Sequence, residues 1–150
     1  MIFEKFDNVK LEKLIVDNGI IPNKNYLLAT KNRNFIEGVF KLFINNIYNS
    51  IDASLQYLLI FDYDSIYITK ISTGLLESVD EMEFTFRKFN HDEIESFNVT
   101  TEISKHIISW CFLGKQYAFE IDKLQGVYSF VTDNFNYLTE QNFNFKWFNN

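Results

Sequence analysis

Residues 105–121 have the sequence KHIISWCFLGKQYAFEI, in which two apolar-rich runs flank the connection Leu113-Gly114-Lys115. The side chains of the first run, 105–112, alternate between two faces, as they do in a β-strand. The second run, 116–121, follows directly after the glycine connection. Two strand-like runs joined by a short loop that contains glycine are typical of a β-hairpin. The sequence therefore predicts two antiparallel strands here.

Four earlier stretches also predict strands. They lie at residues 55–61, 66–71, 82–87 and 94–101. The first two are joined by Asp62-Tyr63-Asp64-Ser65, whose short polar side chains favour a turn. The stretch 82–87 has the cleanest alternation, because apolar and polar residues take turns along its whole length. Together with the hairpin, these runs predict an antiparallel sheet.

An amphipathic helix is predicted after the hairpin. Asp122, followed three residues later by Gln125, resembles a capping box and predicts the start of this helix. Its apolar residues recur at helical spacing and form one stripe. The stripe comprises Leu124, Val127, Tyr128, Val131, Phe135 and Leu138.

The N-terminal third of the chain predicts helices. Asn8 is a suitable cap for a short helix that carries Leu11 and Ile15 on one face. Glycine and proline within residues 19–22 predict a break. A second helix is predicted at residues 34–49, because apolar side chains there follow the i, i+3, i+4, i+7 spacing.

These elements predict one domain of the α+β class. N-terminal helices (residues 1–52) precede an antiparallel curved β-sheet or partly open barrel that a C-terminal amphipathic helix caps (residues 53–141). An aromatic tail follows at residues 142–150. A domain of this length buries roughly 70% of its unfolded surface, and 47% of the residues are hydrophobic, which is enough to fill a core.

Composition and charge argue against several classes of protein. A single cysteine excludes an internal disulfide framework and fits a reducing compartment. Neither a signal peptide nor an apolar run of about 18 residues is present, so a cytoplasmic protein is expected. The net charge is −6, and only Arg33 and Arg87 are arginines, which argues against direct binding of nucleic acid or of an anionic membrane. Abundant Asn, Ile and Phe suggest an A/T-rich bacterium or one of its phages.

No catalytic pattern is evident, and neither a cofactor nor a metal is expected. Cys111 and His106 lie five residues apart on one predicted strand, so their side chains point to opposite faces and cannot act together; Cys111 is expected to be buried. The acidic run from His91 to Glu93 lacks the spacing of a calcium loop and is interpreted as a solvated turn before the strand at Ile94. The sequence therefore predicts a protein that is not an enzyme.

Two surfaces are candidates for binding a partner. The first is acidic and comprises Glu81, Glu83, Asp92, Glu93 and Glu95. The second is the tail, where Phe143, Phe145 and Trp147 alternate with polar residues. An alternating aromatic segment can form an edge strand or an arm on a partner, and it can equally pack on its own domain.

Residues 55–141 resemble a known family in the order of their elements. The quoted features are Tyr57-Leu58-Leu59-Ile60-Phe61 turning into Ser65-Ile66-Tyr67-Ile68, the segment Phe89 to Phe97, the hairpin through Gly114 and the terminal helix. This order resembles the pleckstrin-homology-like families of bacteria, including the YokE-like group. The resemblance implies a curved sheet closed by a helix. Lipid binding is not carried over, because the early hairpin offers Asp62, Asp64 and only Lys70.

The sequence leads to two functional hypotheses. The first is a non-catalytic protein-interaction module of a bacterium or phage, in which aromatic side chains anchor the partner. The alternative is a small acidic inhibitor, such as an immunity or anti-defence protein. Its carboxylates would occupy a basic groove of a nucleic-acid-binding enzyme.

Overall fold

A computed structural model describes residues 8–31, 56–71, 86–123 and 129–144 of the chain. Within these ranges the chain forms two α-helices and seven β-strands. They are α1 (Asn8–Asp17), β1 (Tyr26–Lys31), β2 (Gln56–Phe61), β3 (Ser65–Ile71), β4 (Arg87–Asn90), β5 (Ile94–Thr101), β6 (Lys105–Phe112), β7 (Lys115–Asp122) and α2 (Ser129–Glu140). Short 3-10 turns lie at His91–Glu93 and Asn142–Asn144.

The seven strands form one curved, open antiparallel sheet with the order β4-β3-β2-β1-β7-β6-β5. The predicted α+β class is therefore confirmed, with a helix at the N-terminus, a curved antiparallel sheet and a helix at the C-terminus. β1 occupies the centre of the sheet, where it pairs with β2 on one side and with β7 on the other.

The predicted hairpin is confirmed in detail. β6 and β7 pair along their whole length, from Lys105 opposite Asp122 to Phe112 opposite Lys115. Leu113 and Gly114 form the two-residue connection and have φ values of 51° and 79°. Positive φ at both positions is the geometry of a type I′ turn, whose twist matches that of the flanking strands. β5 and β6 have the predicted bounds, and β2, β3 and β7 differ from theirs by one residue at one or both ends.

The prediction that residues 1–52 are helical is wrong in one respect, because β1 lies within them. Its sequence, YLLATK, begins with a short apolar run and ends with a lysine. Its strand character comes from backbone pairing with two partners that are distant in the chain. The predicted helix at 34–49 lies outside the described residues.

One predicted boundary is also corrected, and a second lies mostly outside the described residues. Asp122 is the last residue of β7 and not the cap of the C-terminal helix, which is described from Ser129 onward. The strand predicted at 82–87 falls mostly outside the described residues, and β4 begins at Arg87. Strand pairing with β6 extends β7 to Asp122, and this competes with the local capping pattern.

Both faces of the central strands are buried. Leu27, Leu59 and Phe61 lie on one face of β1 and β2, and Leu28 and Ile60 lie on the other. α1 packs on the second face, because the hydroxyl of Tyr26, the neighbour of Ile60 across the sheet, donates a hydrogen bond to Glu12 at 2.5 Å. Leu11 and Ile15 of α1 are fully buried. Each such side chain contributes roughly 1.5–3 kcal/mol through burial, which fixes α1 on the sheet.

Aromatic side chains fill the concave side of the sheet. Trp110 is fully buried, and its ring lies 5.4 Å from that of Phe89 and 5.5 Å from that of Phe119. Phe89 belongs to β4, one end strand of the open sheet, and Trp110 belongs to β6, the strand next to the other end, so this contact crosses the interior of the sheet. The curvature of the sheet therefore follows from packing between strands that share no hydrogen bonds.

Candidate interaction surface

The turn between β2 and β3 presents an exposed tyrosine between two acids. Asp62, Tyr63 and Asp64 connect Phe61 to Ser65, and the amide of Asp62 donates to the carbonyl of Ser65 at 2.8 Å. This confirms the predicted turn. The side chain of Tyr63 is 79% exposed, among the highest values for a large apolar side chain in the described residues.

A second acidic turn lies directly beside the first. The strand register places Ser65 opposite Asn90, so the residues that follow β4 meet those that precede β3. The amide of His91 donates to the carbonyl of Asp64 at 2.9 Å and ties the two turns together. Asp92 and Glu93 are both exposed in this second turn. We call Asp62, Tyr63, Asp64, Asp92 and Glu93 the acidic–aromatic patch.

Two carboxylates of the acidic–aromatic patch accept hydrogen bonds from neutral side chains. Asp64 accepts a hydrogen bond from the hydroxyl of Ser65 at 3.0 Å, and Glu93 accepts one from the side-chain amide of Asn90 at 3.1 Å. Among the described residues, an ion pair forms elsewhere, between Lys105 and Glu120, and none involves an acid of the patch. As far as the chain is described, the patch therefore carries negative charge around an aromatic side chain without an ion-paired cation.

Glu95 has a different environment from Asp92 and Glu93. It lies at an irregularity in the pairing of β5 with β6, between Ile94 and Ser96. Its carboxylate accepts hydrogen bonds from the thiol of Cys111 and from the amide of Gly114, both at 3.0 Å. The bond from Cys111, joined by that from Gly114, holds the pKa of the Glu95 carboxyl below its usual value. Glu95 thus fastens the β6–β7 turn to β5.

The structure places Cys111 and His106 on opposite faces of β6, as predicted. Cys111 is half-buried, so the prediction of a buried thiol is wrong. Its hydrogen bond to Glu95 and its partial burial raise the pKa of the thiol. The ring of His106 stacks on Phe135 of α2 with 3.9 Å between centroids, and Nδ1 lies 3.0 Å from the hydroxyl of Thr101. Burial and nearby Lys123 lower the pKa of His106.

The first aromatic residue of the predicted tail is part of the core. Phe143 is fully buried, and its ring lies 5.1 Å from Phe61, 5.8 Å from Phe97 and 5.6 Å from Phe135. The side-chain amide of Asn144 donates to the carbonyl of Phe61 at 2.8 Å. In this position Phe143 has no surface left for a partner.

The backbone reaches this position through a left-handed turn. Asn142, Phe143 and Asn144 have φ values of 53°, 54° and 58°. Asn tolerates this region, whereas a residue such as Phe loses about 1–2 kcal/mol there. Burial of the Phe143 ring offsets that loss, because a fully buried Phe side chain contributes about 1.5–3 kcal/mol.

The other predicted contact residues, Glu81, Glu83, Phe145 and Trp147, lie outside the described residues. In the described part of the chain, no three His, Cys, Asp or Glu side chains converge as metal ligands would. Neither described helix is long and apolar enough to cross a membrane.

The sequence did not indicate that the two acidic turns are neighbours. In the sequence, Asp62 and Asp64 indicate a turn, and no local pattern marks Tyr63 as a contact residue. Their position beside Asp92 depends on the register of β3 against β4, which pairs Ser65 with Asn90. No family model matches the chain, and no curated protein does. The acidic–aromatic patch is therefore interpreted from its geometry.

Proposed function

We propose that the protein is a non-catalytic protein-interaction module that binds a basic partner through the acidic–aromatic patch. The observation that carries this proposal is the hydrogen bond from the amide of His91 to the carbonyl of Asp64. It holds two acidic turns side by side, with exposed Tyr63 among them. Glu95 and Phe143 are left out of the contact surface, because their side chains bind within the domain.

The two kinds of side chain in the patch have different roles in binding. Tyrosine is enriched among the residues that dominate binding energy, since its ring buries a large area with few rotatable bonds. The carboxylates accelerate encounter with a positively charged surface and set the orientation of the complex. Such binding weakens as salt rises, because exposed charges are screened over about 8–10 Å at physiological ionic strength.

We also propose that the domain is of the pleckstrin-homology-like type. Seven antiparallel strands in one curved sheet, followed by a C-terminal helix that packs on the core, support this assignment. On each side of β1, strands that follow one another in the chain are neighbours in the sheet, and such an order is consistent with a sheet that nearly closes. An experimental structure with a different strand order, or with α2 away from the core, would contradict it.

The second candidate function is inhibition of a nucleic-acid-binding enzyme. The exposed carboxylates of Asp64, Asp92 and Glu93 favour it, because they offer negative charge and form no ion pair with any described residue. A basic groove that normally binds phosphates would accept such a surface. This candidate predicts that the bound partner loses its affinity for nucleic acid, whereas a simple adaptor leaves that affinity intact.

Site-specific photo-crosslinking in the native host tests the leading proposal. A photoreactive phenylalanine analogue replaces Tyr63 in one version of the protein and Ile21 in a matched version, since both side chains are 79% exposed. We expect a discrete crosslinked adduct with a basic protein from position 63 and none from position 21. Equal adducts from both positions, or none from position 63, would contradict the patch.

A charge-matched pair of variants tests the role of the acids. Asp92→Asn with Glu93→Gln removes two charges from the patch, and Asp133→Asn with Glu140→Gln removes two exposed charges from α2. We expect the first pair to abolish the adduct at position 63 and the second to preserve it. The same loss in both would indicate that net charge, rather than the patch, drives binding.

A further inference from the structure

Among the described strands, β5 is the last at one end of the sheet, and no described strand pairs with its outer edge along the residues that follow Phe97. In the described residues β5 pairs with β6 alone. The register places Thr101 opposite His106, and the amide of Glu102 donates to the carbonyl of Lys105 at 2.8 Å. Because hydrogen-bonded and non-hydrogen-bonded pairs alternate in an antiparallel ladder, Val99 and Thr101 direct their backbone groups away from β6.

This edge has few of the features that block pairing. Natural edge strands are protected by charged side chains, proline, bulges or short length. β5 has an irregularity near Glu95, but from Ser96 to Thr101 it pairs regularly with β6. That stretch, SFNVTT, contains neither an ionisable residue nor proline. β4, the strand at the other end of the sheet, has only four residues.

We infer that the open edge of β5 binds the same edge of a second copy of this chain. A chain with a net charge of −6 repels its own copies over most of its surface. The uncharged stretch from Ser96 to Thr101 allows close approach with the least repulsion. The acidic–aromatic patch attracts a basic partner, whereas the uncharged edge of β5 does not favour a partner of either charge.

A two-fold axis at Thr100 satisfies the backbone of both copies. Antiparallel pairing about that axis sets Val99 opposite Thr101 of the second copy, and these are the residues whose backbone groups point outward. Thr100 then meets Thr100 of the second copy, and threonine pairs are favourable across strands. Asn98 comes opposite Glu102 of the second copy. Like faces remain together, because the register keeps odd-numbered residues on the concave side.

An exposed apolar side chain lies at the end of this edge. Ile103, in the turn between β5 and β6, is 92% exposed, the highest value among the large hydrophobic side chains of the described residues. In the two-fold arrangement it reaches the second copy's strand near Phe97. Removing Ile103 from water adds an apolar contribution to the backbone hydrogen bonds.

Two substitutions on the same exposed face of β5 test the two-fold axis. Thr100→Lys places like charges opposite each other at the axis, and we expect the dimer dissociation constant to rise roughly tenfold or more. Asn98→Lys adds the same charge two residues away, opposite Glu102 of the second copy, and should leave the dimer intact or strengthen it. Both side chains are exposed, so the thermal midpoint of each monomer should stay within a few degrees of the wild type.

Sedimentation velocity over a concentration series provides the measurement. The wild type should dimerise with increasing concentration, and more strongly from about 10 mM to about 1 M NaCl, as the Debye length falls from roughly 30 Å to 3 Å. In a mixture of Thr100→Lys and Thr100→Glu chains, the heterodimer should be tighter than the homodimer of either variant, because opposite charges then meet at the axis. A wild type that stays monomeric at its highest soluble concentration, or equal effects of the two lysine variants, would overturn the inference.

Discussion

The thiol of Cys111 donates a hydrogen bond to the carboxylate of Glu95 at 3.0 Å, and the same carboxylate accepts the amide of Gly114. One side chain on β5 thus holds both the end of β6 and the turn that follows it. This relationship explains why a half-buried cysteine and an exposed glutamate of an acidic protein form a structural contact rather than a site for a partner.

Glu95→Gln should make the Cys111 thiol react faster. The carboxylate raises the pKa of the thiol chiefly through their hydrogen bond, so a neutral amide at position 95 lowers that pKa and increases the thiolate fraction near pH 8. The measurement is the rate of alkylation by iodoacetamide in the folded protein. Glu93→Gln, a neighbouring acid that does not touch Cys111, is the control and should leave the rate unchanged.

Lowering the pH below about 6.5 should destabilise the protein through His106. Its pKa is lower in the folded state, because burial and Lys123 disfavour the charged ring. The unfolded chain therefore binds the proton first, and the stabilising contribution present above pH 6.5 is lost as the pH falls through the folded pKa. Urea denaturation between pH 8 and pH 5 measures the loss.

His106→Phe is the matched variant for the pH experiment. It keeps an aromatic ring against Phe135 and removes the titrating group. The difference between wild type and variant in the pH dependence of unfolding should isolate His106 from His91 and the carboxylates. If the free energies of unfolding of the two proteins changed with pH in parallel, protonation of His106 would not be the cause of the loss.

Phe143→Ala should lower the free energy of unfolding by about 3–5 kcal/mol. The substitution leaves a cavity among Phe61, Phe97 and Phe135 while the positive φ remains. Phe143→Leu keeps most of the volume and should cost only about 1 kcal/mol. Chemical denaturation measures both. A loss for Phe143→Ala no larger than that for Ile21→Ala, an exposed control, would contradict the buried position.

Leu113→Asn should raise the free energy of unfolding by about 1 kcal/mol. Leu113 is 72% exposed and has a φ of 51°, a region that asparagine tolerates and leucine does not. Gly114→Ala should lower the same quantity by about 1 kcal/mol, because φ is 79° and no heavy atom lies within 4 Å of the added Cβ. Opposite signs at adjacent positions, measured by thermal unfolding, would identify the type I′ backbone as the cause.

Local patterns predicted much of the sheet. Alternation along 94–101 and 105–112 gave strands with those bounds, since a side-chain period of two is a property of the strand itself. The reversal at Leu113-Gly114 was evident for the same reason, because turn geometry depends on the few residues that form it. Leu11 and Ile15 likewise marked the buried face of α1.

Predictions from local patterns failed where contacts that are distant in the sequence determine the position of a residue. Asp122 resembles a helix cap, yet pairing with Lys105 makes it the end of β7. Phe143 follows the alternation of an exposed strand, yet three consecutive residues with positive φ turn its ring into the core. Glu95 belongs to an acidic run, yet the pairing of β5 with β6 directs its carboxylate to Cys111.

The amino-acid sequence by itself determined the class of the fold, the bounds of β5 and β6 and the hairpin turn between β6 and β7, because these follow from periodicity and from the backbone preferences of neighbouring residues. Only the tertiary structure decided that β1 lies at the centre of the sheet, that the acids beside Tyr63 meet those after His91, and that no described strand pairs with the outer edge of β5. These depend on which distant strands pair and in which register, and that choice is made by the burial of the whole core rather than by any one segment.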